Sequence, residues 1–343
     1  MNQTSAPGLK VLVTGATGFV GREVVRQLRA HGHSIRALVR QPGSALAETL
    51  AQTAGAELVP GDVLDPGTVQ RAVAGVDAVV HLVGIIREFG TQTFENMHVR
   101  ATAHVVQAAR AARVQRLLHV SALGTRPDAP SRYHRTKWEA EEQVRASGLP
   151  WTILRPSLIY GPGDQFINLF VRISRYTPVL LLPGSPTSLF QPVFIRVVGR
   201  CVAAALTHPD AVARTLDVCG PERFTLKDMV RTVLEVLNRR RLLLYMPMPV
   251  ARLTAAILEA ICPTLLRRPA PFNRDQYLML SEHNIGDPEP IQHLFGITQP
   301  TFREGLATWL APKPHRTPAP ASPTATPDQQ SAGRPDPEDP PGR

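Results

Sequence analysis

A glycine triplet set between an apolar run and a helical pattern constrains this chain more than any other feature. Val11-Leu12-Val13-Thr14 is short and mostly β-branched, Gly15, Gly18 and Gly21 follow at three-residue spacing, and Arg22-Glu23-Val24-Val25 continues into an amphipathic stretch. One glycine permits a tight turn, one lets a diphosphate approach the backbone, and one lets the helix pack on the sheet. The helix N-terminus adds amide donors and positive potential. A dinucleotide pyrophosphate over Gly15, Thr17, Gly18, Phe19, Val20 and Gly21 is the expectation; a glycine turn that binds nothing is the alternative.

The apolar runs Leu9–Thr14, Ile35–Val39, Ala78–Val83, Leu117–Val120 and Thr152–Leu154 are separated by helical patterns. That alternation predicts an α/β fold of the Rossmann kind, a doubly wound parallel sheet covered on both faces. After Arg155 the alternation weakens and prolines multiply, which predicts a small C-terminal substrate lobe. Residues 8–155 are then the NAD(P)-binding domain, 156–311 the lobe, whose later strands are free to return to the sheet, and 312–343 a disordered tail with ten prolines. Within the lobe, Leu180–Pro192 reads as a loop, and Leu226–Asn238 as a helix opened by Thr225 with Asp228 three residues on.

The net charge of +10 belongs to residues before the tail, because Lys313, Arg316, Arg334 and Arg343 are balanced by Asp328, Asp336, Glu338 and Asp339. Anionic lipid or a phosphorylated ligand suits such a surface. No helix-turn-helix, zinc finger or aromatic RNA-binding sheet is present, which argues against nucleic acid. Cys201, Cys219 and Cys262 are too few and too scattered for a disulfide framework or a zinc site. Met1–Lys10 has no apolar stretch and no window reaches the roughly 18 apolar residues of a membrane span. The expectation is a cytoplasmic protein.

The second strand ends at Arg40, where NAD-preferring domains carry an acid against the ribose 2′-hydroxyl. A guanidinium there would pair with a 2′-phosphate, which favours NADP(H) over NAD(H); a solvated arginine is the plainer reading. Asp62 and Val63, after the third strand, would lie near the adenine edge, unless Asp62 merely shapes a turn.

Tyr133 and Lys137 lie four apart on a helical stretch and so face one way, twelve residues after Ser121 ends an apolar strand. A phenol is a poor base at neutral pH, but an ammonium one turn away favours phenolate. Alone, such a pair is usually a surface feature. With the glycine turn, Arg155-Pro156-Ser157-Leu158-Ile159-Tyr160-Gly161-Pro162-Gly163-Asp164 and Gly220-Pro221-Glu222-Arg223-Phe224-Thr225, these residues resemble the extended and atypical short-chain dehydrogenase/reductase superfamily. Within it the chain is similar to bacterial relatives of the NADPH-binding accessory subunit of respiratory complex I, from Lys10 to about Leu310. The resemblance implies Tyr133 as proton donor or acceptor, Lys137 on the nicotinamide ribose, Ser121 orienting the reacting oxygen, and Pro156 beside the cofactor. Two departures stand out. His98 occupies the place of an Asn that relays protons, and either substitutes for it or fills the helix–sheet interface. Arg196 and Val197 replace an acidic pair, which would alter contacts in the substrate-side loop. His31, His33, His81 and His119 carry no metal-ligand spacing and are assigned no role.

Seven arginines against the single acid Glu259 fall between Val236 and Arg274, around an apolar face at Leu253, Ile257, Leu258 and Ile261. Residues 239–274 therefore suit a membrane surface or a membrane-complex partner, and place the protein on the inner face of the cell membrane; packing on the domain is the alternative. Three functions compete: an NADPH-dependent oxidoreductase on a small hydrophobic carbonyl or alcohol, a non-catalytic NADPH-binding accessory or assembly protein, and a nucleotide-sugar epimerase or dehydratase.

Overall fold

The structure, a computed structural model, describes residues 8–246, 249–250, 253–254, 256–257 and 273–311. The tail 312–343 and most of the apolar face expected between Val250 and Leu266 lie outside them.

In chain order the strands are β1 (Lys10–Thr14), β2 (Ser34–Val39), β3 (Glu57–Pro60), β4 (Ala78–His81), β5 (Arg116–Val120), β6 (Trp151–Pro156), β7 (Ile159–Tyr160), β8 (Val179–Leu182), β9 (Leu189–Phe190), β10 (Val193–Phe194), β11 (Arg214–Val218), β12 (Phe224–Thr225) and β13 (Leu242–Tyr245). Seven form one parallel sheet in the order β11-β6-β5-β4-β1-β2-β3. The order reverses between β1 and β4, so the crevice for a ligand opens at the carboxyl ends of those two strands. The chain has the doubly wound Rossmann-like architecture its alternation predicts.

The helices are α1 (Phe19–Ala30), α2 (Ala45–Ala54), α3 (Pro66–Val73), α4 (Ala101–Ala111, continuing a π-helical turn Glu95–Arg100), α5 (Arg132–Arg145), α6 (Ile167–Ile173), α7 (Ile195–Thr207) and α8 (Leu226–Val236), followed by Arg274–Ser281, Glu289–Phe295 and Phe302–Leu310. Strand alternation sorts the sheet into two cores. Val11 and Val13 join one with Val24 and Leu28 of α1 and Val198 of α7, whereas Leu12 joins the other with Val69, Val105 and Val144 of α3, α4 and α5.

One segment differs from expectation, and two elements follow it. Strand β11, from the lobe whose later strands were free to return to the sheet, joins it as a seventh member with Leu216 and Val218 buried, and lies at the sheet edge. The segment Leu180–Pro192 is not a plain loop. It holds most of β8, which pairs with β13, and β9, which pairs with β12. Those strands draw their partners from across the lobe, so local composition could not show them. Helix α8 starts where expected, with the Thr225 side chain accepting from the Asp228 amide at 3.2 Å.

Candidate active site

Gly15 carries φ +75°, a backbone that L side chains rarely adopt, and a Cβ on Gly21 would stand 2.1 Å from the Gly15 carbonyl oxygen. The turn therefore requires glycine at both ends. Gly18 is the N-cap of α1 and makes no side-chain capping bond, which leaves the first-turn amides to an external anion. This is the cradle a pyrophosphate needs.

A cleft of about 670 Å³ opens above the turn. Its walls include Gly15, Gly18, Phe19, Val20 and Gly21 on one side, and Ser121, Tyr133 and Pro156 on the other. Thr17 is half-buried within the turn. Farther out the wall is apolar, with Ile85, Ile86, Phe89, Leu123, Leu158 and Phe166.

Helix α5 supplies the polar groups. Ser131 caps it by accepting from the His134 amide, and the next turns bring Tyr133 and Lys137 to one face, both buried. The Lys137 ammonium donates to the Val120 carbonyl at 3.0 Å, which fastens the helix to the end of β5 just before Ser121. The Ser121 hydroxyl is buried at the cleft wall with no hydrogen-bond partner. A substrate oxygen would satisfy it.

Burial pushes the Tyr133 phenol up to about 12 and brings the Lys137 ammonium down to about 8. In the protein alone, burial favours the protonated phenol. Tyr133 holds its proton at neutral pH.

His98 is buried beside Tyr133. Its ring meets Tyr133 edge-on at 5.3 Å, Nδ1 lies 2.9 Å from the Thr136 hydroxyl, and Nε2 lies 3.1 Å from the Ile85 carbonyl. Burial holds its pKa well below the usual imidazole value. A Cβ on Gly84 would meet Lys137 Nζ at 3.1 Å and His98 Nε2 at 3.7 Å, so both heads converge on that glycine.

Other expected residues lie apart from this centre. Arg40 is exposed at the end of β2, and Asp62 follows β3, accepting from the Leu64 amide at 2.9 Å in a local turn. Val63 is packed into the core with Val69 and Val105. Arg196 points to solvent over the Phe194 ring and Val197 is buried, so neither lines the cleft as the substrate-side reading required. Asn284, which the family resemblance marks without giving it a role, is a wall residue of the cleft. Its side chain accepts from the Leu158 amide and donates to the Leu123 carbonyl, tying the loops after β5 and β6 to the C-terminal segment.

A sequence profile described as NAD(P)H-binding matches residues 15–165. The mitochondrial NADH dehydrogenase [ubiquinone] 1 alpha subcomplex subunit 9 of Arabidopsis thaliana is 30% identical over 298 residues, 82% of this chain and 72% of that protein. The chain belongs to the atypical and extended short-chain dehydrogenase/reductase superfamily. It spans 66% of the length of the corresponding rat subunit. A further relative is the ceramide reductase of Caulobacter vibrioides, 30% identical over 78% of this chain and 83% of that one. The Escherichia coli NADPH-dependent quinone oxidoreductase, solved with NADPH, shares the fold with a TM-score of 0.68 at 18% identity, covering 87% of this chain and 99% of that one. Nucleotide-sugar epimerases share it equally well. The chain carries an NAD(P)H-binding domain, and no helix among the described residues is long and apolar enough to cross a membrane.

Proposed function

We propose that the protein is an NADPH-dependent reductase of a hydrophobic carbonyl compound, with residues 8–155 holding the dinucleotide and 156–311 choosing the substrate. The observation that carries this reading is one cleft whose inner end is the glycine turn, whose wall holds Ser121 and Tyr133 and is apolar farther out, with Lys137 buried behind it on the Val120 carbonyl next to Ser121. Held over Gly15, Gly18 and Gly21, NADPH would supply hydride to the carbonyl carbon. Ser121 donates a hydrogen bond to the carbonyl oxygen and orients it, while Tyr133 delivers its proton to that oxygen as negative charge develops there. A phenol held protonated by burial suits reduction, in which it acts as the acid. The Lys137 charge then stabilises the phenolate left behind. Arg40 supports NADP(H) over NAD(H), since a 2′-phosphate would meet a guanidinium rather than an acid. The ceramide reductase relative supports a lipophilic substrate.

Tyr133→Phe removes the proton donor and leaves the glycine turn untouched. With NADPH and a panel of long-chain ketones, the substitution is expected to cut turnover at least about a hundredfold while dinucleotide affinity stays within about twofold. A second reading, a non-catalytic accessory protein in which NADPH is a structural ligand, is favoured by the mitochondrial complex I relatives. It predicts the opposite pattern: bound NADPH that stays reduced with every substrate and with membrane extract, and a cellular role that survives Tyr133→Phe but fails with Gly18→Asp. Under either reading the arginine-rich stretch 239–274 supports a peripheral place at an anionic membrane.

A further inference from the structure

We infer that the outward face of the β8–β13 pair is the surface that docks on an anionic lipid bilayer, an inference that rests on the peripheral placement above and assigns it a site. The two strands pair in parallel register, Leu242 beside Val179 through Tyr245 beside Leu182. Period-two alternation turns Leu180, Leu182 and Leu243 into the core and leaves Val179, Leu181, Leu242 and Leu244 outside. Leu181 is 54% exposed, Leu242 57% and Leu244 45%. A sheet face turned to water is normally polar, yet all four outward side chains here are aliphatic.

The stretches of chain that carry these strands hold arginines and no acid. Arg239 donates to the Val171 carbonyl and the Ser174 hydroxyl, and Arg241 to the Ser174 carbonyl, so the start of β13 is bound to the end of α6. Arg172 and Arg175, at that end of α6, and Arg240 are exposed. Tyr176 is 81% exposed beside them. No aspartate or glutamate occurs from Gln165 to Pro209, or from Val236 to Ile257. A protein partner would bury the aliphatic face as well, but unopposed arginines around it match a continuous anionic surface, and an exposed tyrosine suits the headgroup boundary. The same helix α6 follows directly on Phe166 of the cleft wall. Docking here would therefore bring the apolar end of the cleft close to the lipid that a hydrophobic substrate partitions into.

The test is sedimentation of the full chain with vesicles of phosphatidylcholine alone and of phosphatidylcholine mixed with phosphatidylglycerol. The protein is expected on the anionic vesicles only, less so as salt is raised. Leu181→Gln with Leu244→Gln should weaken partitioning about tenfold or more, and Arg172→Gln with Arg175→Gln by a similar factor, at about fivefold per arginine. All four residues are exposed, so NADPH affinity should be unchanged and reports that the fold is intact. Binding that both double variants retain in full would overturn the assignment of this face while leaving attachment through the rest of 239–274 standing. Absence of the unsubstituted protein from anionic vesicles would overturn both. A monomer–dimer equilibrium abolished by the leucine substitutions, without vesicle binding, would show a second copy as the occupant and sink the lipid assignment.

Discussion

On the proposed reading, Arg40 is the side chain that selects between the two dinucleotides. It stands exposed at the end of β2, the strand beside the one that leads into the glycine turn. Replacing its guanidinium with a carboxylate removes the partner of a 2′-phosphate and creates a partner for a ribose 2′-hydroxyl. Arg40→Glu is expected to weaken NADPH binding about tenfold or more and to leave NADH binding equal or tighter, as fluorescence titration would show. Equal loss for both dinucleotides would mean that Arg40 does not touch the 2′ position. At this scale much was legible. Gly15, Gly18 and Gly21 stood out by spacing, whereas Tyr133 and Lys137 stood out only in company with Ser121, the glycine turn and the motifs of the superfamily they resemble. The Ser121 hydroxyl was placed by its position at a strand end. What could not be read was protonation, because the shift of Tyr133 to about 12 comes from the burial that packing around α5 imposes and not from its sequence neighbours.

Helix α5 acts as a unit, and its anchor lies one turn beyond Lys137. Glu141, fully buried, accepts from Arg155 Nε at 2.8 Å and Nη2 at 2.6 Å, and from Arg145 Nη2 at 2.5 Å. Arg155 belongs to β6, so the carboxylate clamps α5 to the sheet on the same helical face that carries Tyr133 and Lys137. Removing it leaves two partly buried guanidinium groups without their counter-charge, a change that costs about 3 kcal/mol or more in comparable buried pairs. Glu141→Ala should lower the denaturant midpoint and reduce turnover, whereas Glu141→Gln, which keeps the shape and one acceptor, should recover part of the stability. A Glu141→Ala protein as stable as the parent would show that the clamp contributes nothing. The pairing of Glu141 with Arg155 was invisible in sequence, since Tyr-His-Arg-Thr-Lys-Trp-Glu-Ala-Glu-Glu offers three acids and only the fold selects one. For the same reason the β8–β13 sheet was missed: its two short strands lie far apart in the chain, and neither looks like a strand without the other.

Across the whole molecule the buried histidines set the response to acid. His81, on β4, lies 2.7 Å through Nδ1 from the Thr14 hydroxyl and 3.1 Å through Nε2 from the Thr102 hydroxyl, and stacks at 5.3 Å on His119 of β5. Both ring nitrogens of His119 are buried with no partner. Burial lowers His81 to about 3 and His134 to about 4, and takes His98 and His119 well below the ordinary value. In the unfolded chain these rings bind protons below about pH 6.5, while the fold keeps them neutral. The unfolded state therefore binds more protons in that window, and stability is full above about pH 6.5 and falls as the pH drops below it, by up to about 1.4 kcal/mol per pH unit for each such ring. Thermal unfolding should shift down by at least about 5 °C between pH 7 and pH 5. His119→Leu removes one of the rings that resists protonation, and since that ring makes no hydrogen bond its loss should flatten the acid limb at little cost at pH 7. A transition temperature that is constant over this range, or an acid limb unchanged by His119→Leu, would mean that these rings take up protons in the folded state through a local rearrangement of the core.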